Sequence, residues 1–156
     1  MATAARDDAS GGESGRRIVS IVHLAMLAAV PLYGGVLWLA RGRAPFLLPA
    51  TGRPHLVGIL LAIGVSEWAA ATLVGRMLLR AGGGTAGGFE RVRRFFLVRF
   101  AAAEAIAVFG LFAGFTGAPA RDCALLFSAS AAALLLSTPT RAAWARATAE
   151  TAPPQS

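Results

Sequence analysis

Two glutamates stand in runs that are otherwise almost wholly apolar. Glu104 lies in the middle of FAAAEAIAVFGLFAG, residues 100–114, and Glu67 follows Ser66 in LLAIGVSEWAAATLVG, residues 60–75. A carboxylate in hydrocarbon is expensive to ionise, so each acid is expected to keep its proton until water or a cation reaches it. That is the chemistry of a proton- or cation-binding group. The same residues have a second reading, as protonated acids hydrogen-bonded to each other or to Ser128, bridging helices for about 1 kcal/mol.

Depth decides which groups can meet. Counted from the loop that joins the two acid-bearing segments, at about 1.5 Å per residue, Glu67 and Glu104 differ in depth by only about 5 Å. Ser128 and Ser130 fall in the same layer and Ser66 just beyond it. The candidate proton- or ion-binding set is therefore Glu104, Glu67, Ser128 and Ser66. His23, Arg76 and Arg99 form a shallower group. Arg76 is expected to snorkel to the headgroups. Arg99 precedes Glu104 by five residues, about 7.5 Å of rise and roughly 140° of rotation, which is not an i, i+4 pair. A water or a neighbouring helix would have to link them, so Arg99 is at most a modulator of the acid.

Other chemistries lack their residues. His23 and His55 fall at opposite ends of their spans and do not make a haem pair. No two His, Cys or carboxylate ligands have chelating spacing on one helix, and no Ser-His-acid set meets at one depth. The single Cys123 leaves no internal disulfide. Gly82, Gly84 and Gly87 spell G-x-G-x-x-G, but a dinucleotide site needs a strand before it, and an apolar helix precedes this one, so a flexible linker is expected. No enzyme activity, metal, cofactor or nucleic-acid partner is expected.

The elements that must position the acids follow from composition. Of 156 residues, 56% are apolar and 15% charged, against roughly a quarter charged in soluble domains. A span needs about 20 mostly apolar residues, and four segments qualify: 18–40, 55–79, 95–117 and a shorter one at 121–138. The expected fold is all-α, a transmembrane four-helix bundle of two antiparallel hairpins filling 18–138. Residues 1–17 are expected as a disordered tail, and 139–156 as a second tail in which 141–150 form an interfacial helix with Trp144 at the headgroups.

The first span exceeds a signal core despite Arg16-Arg17 before it, so a retained anchor is expected. It holds Pro31 and Gly34-Gly35, where a kink or close contact is expected. The stretch 41–54, with three prolines, reads as an outer loop whose Phe46-Leu47-Leu48 dip into the interface. Gly117–Asp122 should make a tight turn.

All fifteen basic residues are arginine. Nine of them (Arg6, Arg16, Arg17, Arg80, Arg91, Arg93, Arg94, Arg141, Arg146) fall on one side of the expected topology and four (Arg41, Arg43, Arg53, Arg121) on the other. Basic loops stay cytoplasmic, so both termini are expected in the cytoplasm and the chain in the cytoplasmic (inner) membrane. Ala103, Ala107, Gly110 and Gly114 form a small-residue stripe on the third span, and Gly64, Ala71 and Gly75 fall on the side of the second that carries Glu67. Such faces pack helices closely. Besides the lipid bilayer, the expected partners are a second copy of the chain or a larger membrane complex, in which the protein would be a non-catalytic accessory or scaffold subunit.

The run Ala103-Glu104-Ala105-Ile106-Ala107-Val108-Phe109-Gly110-Leu111 resembles the ion-carrying helix of the proteolipid c subunits of F- and V-type rotary ATPases. In that family a mid-membrane Glu is followed by small residues and a Gly-Leu step, on the helix that leaves a polar cytoplasmic loop. The resemblance implies ion binding at Glu104 and close packing at Gly110. It covers about twenty residues of this chain, around 99–115. The helix before the loop departs from the pattern, since it lacks the family's alternate glycines and carries its own acid, Glu67.

Overall fold

A computed structural model of the protein describes the backbone of residues 2–41, 55–81 and 88–151, and the side chains of 13–40, 55–81 and 88–151. Among these residues are five helices and no strand: α1 (Ala2–Arg41), α2 (Leu56–Ala81), α3 (Gly88–Phe115), α4 (Ala120–Leu136) and α5 (Arg141–Ala149). The fold is all-α. Three helices, α1 over Glu13–Ala40, α2 and α3, are long and apolar enough to cross a membrane. The glycine motif and the 42–54 stretch, with Phe46-Leu47-Leu48, lie outside the described residues; the element before the motif is the helix α2.

The sequence boundaries shift at several places; α3 begins at Gly88, where its span is expected from 95. Helix α1 begins at Ala2, where an unfolded tail is expected over 1–17; once the apolar run has nucleated a helix, each added residue costs little. Pro31 sits inside α1, on an exposed face. The fourth apolar segment is cut short. Helix α4 has 17 residues and bends by 65° into α5; at 1.5 Å per residue it rises only about 25 Å by itself, less than the roughly 30 Å of a hydrocarbon core, while α4 and α5 together have the length and composition of a broken span. Pro139 supplies the break: it has no N–H and pushes Thr138 out of the helical region. Trp144 of α5 is buried, stacked on Phe96 with ring centroids 5.7 Å apart, where the sequence reading puts it at the headgroups.

Helix α3 is the one against which α1, α2, α4 and α5 all pack. The small stripe makes this possible. Ala103 and Ala107 are fully buried, and Ser130 of α4 donates to the Ala103 carbonyl at 2.8 Å. A Cβ on Gly110 would come within 2.9 Å of Phe127 and 3.1 Å of the Leu126 Cβ, and one on Gly114 would overlap Leu37 of α1. On α2, a Cβ on Gly64 would lie 2.8 Å from Ile106 and one on Gly75 would strike the Phe95 ring. Large side chains fill the remaining core, with Phe96, Phe100, Ile106, Leu126 and Leu134 nearly inaccessible.

The two ends of the bundle differ. The α3–α4 hairpin turns on Gly117, whose φ of 88° is a left-handed conformation that glycine adopts without strain. The bonds Ala118 N–H to Ala113 O at 2.9 Å and Gly117 N–H to Gly114 O at 3.2 Å close α3 in a Schellman pattern. At the opposite end, Gly15 of α1 lies against Trp144, Arg80 of α2 pairs with Glu150 at 3.4 Å, and the start of α3 at Gly88 packs on Thr151. The stretch of α1 around Gly15, the end of α2, the start of α3 and helix α5 therefore share one end.

Candidate functional site

Glu104 is one residue past Ala103, about 100° around α3 from the buried stripe, which brings it to the α1–α3 seam, half-buried. There Tyr33 of α1 donates its phenolic hydrogen to Glu104 Oε1 at 2.6 Å. That length lies within the ordinary range of O–H···O hydrogen bonds. The carboxyl thus has a fixed neutral donor, and among the described residues no cation pairs with it.

The pair should behave as one unit. Tyr33→Phe and Glu104→Gln are each expected to lower stability by about 1 kcal/mol, the scale of interhelical hydrogen bonds in membranes, and the double variant by scarcely more than the worse single. Reversible unfolding in mixed micelles, followed by tryptophan fluorescence, measures this coupling; strictly additive losses would show that the bond contributes nothing.

The other candidate residues are elsewhere. Glu67 precedes Trp68, which faces the bundle, by one residue, so it points about 100° away and is exposed. It makes no hydrogen bond or ion pair among the described residues. Ser66 beside it is also exposed, and so is Ser128. The serine of α4 that reaches α3 is Ser130, about 200° round the helix from Ser128. Equal depth therefore does not bring Glu67, Ser66 or Ser128 to Glu104. No group of three or more His, Cys, Asp or Glu able to hold a metal occurs among the described residues.

A second polar cluster surrounds the C-terminus of α4. A helix leaves its last four carbonyls without intrahelical partners, and in α4 these belong to Ala133 and Leu134, which are buried, and Leu135 and Leu136, which are exposed. Each is met. The Ala133 carbonyl accepts from the Ser137 N–H at 3.1 Å and its hydroxyl at 2.7 Å. The Leu135 carbonyl accepts from the Thr138 N–H at 3.2 Å and hydroxyl at 2.6 Å. Leu134 accepts from the Ser137 N–H at 2.9 Å and from His23 Nε2 of α1, also at 2.9 Å. Since a carbonyl only accepts, Nε2 of His23 carries a hydrogen.

Leu136 receives Arg99 of α3, whose terminal nitrogen lies 3.4 Å from its carbonyl. The Arg99 Nε donates to Thr72 of α2 at 3.1 Å, and its guanidinium sits 5.4 Å from the Phe95 ring and 5.8 Å from the Trp68 ring. Trp68 in turn donates to the Ser137 hydroxyl at 3.1 Å. Three helices thus send donors to the end of the fourth, which carries the partial negative charge of the helix dipole. Arg99 is buried and holds α2, α3 and α4 together; Arg76, in contrast, is exposed.

Sequence reasoning found Glu104, His23 and Arg99 but missed Tyr33, Thr72, Trp68 and Ser137. One signal was present: Ser137-Thr138-Pro139 ends α4 at the depth already counted for His23 and Arg99, and a helix end buried there needs donors. Tyr33 carried no signal, because one tyrosine in an apolar span is an ordinary core residue. Compared with known proteins, the chain matches no protein-family model, no curated relative and no solved structure.

Proposed function

We propose that the protein is a small integral membrane subunit, with both termini in the cytoplasm, that has no catalytic role and assembles with a partner helix through the outer face of α2. The observation that carries this reading is the place of Glu67 and Ser66. Both are exposed on a helix of membrane length, where an unpartnered acid facing lipid is expensive. Gly58, Ala62, Ser66 and Ala70 are all exposed and spaced by four, so a second helix has a smooth surface on which to approach. Membrane insertion is supported by the apolar exterior, where Leu32, Trp38, Leu73, Met77 and Leu136 are each more than 60% exposed. The arginine excess at the end shared by the start of α3 and helix α5 supports the orientation.

Glu67→Leu together with Ala62→Ile should convert the assembly into single chains when sized in detergent by light scattering, while the helical signal stays unchanged. An unaltered mass would remove α2 from the interface.

A second reading, proton or cation binding in a proteolipid-like manner, draws on Glu104, which has a neutral donor and no fixed cation. Carbodiimide labelling of Glu104 that sodium or raised pH suppresses would favour it; labelling indifferent to both would not.

A further inference from the structure

Ser66 and Glu67 of α2 and Ser128 of α4 are all exposed on the outside of the bundle. Among the described residues none of the three side chains has a hydrogen-bond or ion-pair partner. They also share a level. Gly64 faces Ile106 and Gly75 faces Phe95 between α2 and α3, while Gly110 faces Phe127 and Ser130 reaches Ala103 between α3 and α4. Those pairings put Ser66, Glu67 and Ser128 within about one helical turn of each other, roughly 5 Å, along the bundle. Both pairings are antiparallel, so α2 and α4 run the same way. Each helix also presents a row of small side chains spaced by four, Ala62, Ser66 and Ala70 on α2 and Ala124, Ser128 and Ala132 on α4, all exposed.

We infer that the partner helix of α2 is α4 of a second copy of this chain, with the Ser128 hydroxyl of one copy donating to the Glu67 carboxyl of the next. The inference rests on the α2 interface proposed above and names its occupant. Donor-acceptor complementarity selects the pairing. Two α2 faces set together would bring two acids to one depth and leave Ser128 without a partner in lipid, where unmet polar groups are expensive. An α2 face against an α4 face gives the acid a hydroxyl donor and uses both rows of small residues, which let helices approach closely. Copies in one bilayer share one orientation, so α2 and α4 of neighbours are parallel and already level. The Glu67 side chain leans toward the N-terminus of its own helix, which is the direction in which the level of Ser128 lies. A contact between two different faces is not closed by two copies but repeats until it meets itself, so the assembly holds three or more chains.

The test is disulfide trapping between two forms of the full chain, both with Cys123→Ala, one carrying Ser66→Cys and the other Ser128→Cys, with tags of different size. Oxidised together by copper phenanthroline, they are expected to give a linked pair of mixed composition as the main product, and either form alone scarcely any linked pair. Ala124→Ile in the Ser128→Cys form should abolish the mixed link, because the added bulk stands on the exposed face of α4. Linking of the Ser66→Cys form by itself in equal yield would overturn the proposal, since α2 would then meet α2. Absence of any mixed link would overturn it too. Light scattering of the unmodified chain in detergent needs no variant to fold: three or more copies are expected, and a pair would overturn the head-to-tail contact. The same measurement separates this failure from that of the underlying reading. If no mixed link forms but Glu67→Leu with Ala62→Ile still lowers the mass, only α4 as the occupant is refuted; an unmodified chain that is single in detergent refutes the α2 interface as well.

Discussion

Gly114→Ala is expected to destabilise the bundle by about 1–3 kcal/mol, the usual cost of forcing extra volume into a packed core. The added methyl would overlap the Leu37 side chain, itself only 4% exposed and seated on α3 where the glycine leaves room. Leu37→Ala alone removes buried contacts and leaves a cavity, which costs about 2–5 kcal/mol. Combined, the two changes should cost clearly less than their sum, because the alanine methyl enters the space vacated by the leucine. Unfolding in mixed micelles, with helicity read by circular dichroism, supplies the cycle; additive energies would mean that α1 does not rest on α3 at this point. Gly110→Ala should admit no such remedy. The obstacle there includes the Leu126 Cβ, 3.1 Å away and fixed to the α4 backbone, so trimming Phe127 would recover only part of the loss.

Arg99→Ala should cost roughly 2–4 kcal/mol. Hydrogen bonds from a charged donor contribute about 1.5–3 kcal/mol each; the one to Leu136 is long at 3.4 Å, and removing a buried cation returns part of its desolvation cost. Two ring contacts are lost as well. The Leu136 carbonyl then has no donor, so amide exchange through residues 136–140 should quicken more than exchange elsewhere. Arg99→Lys should recover little, since a single ammonium cannot span Thr72 on one side and Leu136 on the other. A silent Arg99→Ala, with exchange at the α4 end unchanged, would mean that Arg99 does not tie the α4 end to α2 and α3.

These two sites show how unevenly the sequence exposes the structure. The α3 stripe was legible because small residues at helical spacing in an apolar run have one common physical use, close approach of helices. The α4 end was half legible. His23 and Arg99 stood out as polar groups in spans, and Pro139 marked a helix stop, yet the donor-acceptor match between them required knowing that α4 ends beside α1 and α3. The carboxylate layer was legible in depth alone. Glu67, Glu104 and Ser128 share a level along the helix axes, but Glu104 faces Tyr33 while Glu67 and Ser128 face outward.

By itself, the sequence determined the all-helical class, the presence of three long apolar helices, a turn beginning at Gly117 and the relative depth of Glu67, Glu104 and Ser128 along their helices, because these depend on local composition and on a fixed rise per residue. Only the tertiary structure decided rotation. Which side of a helix faces inward depends on how its whole surface fits its neighbours, and a turn of about 100° between adjacent residues is enough to separate Glu67, facing out, from Trp68, facing in. That rotation gave Glu104 a tyrosine, gave the α4 carbonyls a histidine and an arginine, and left Glu67 on the surface of α2.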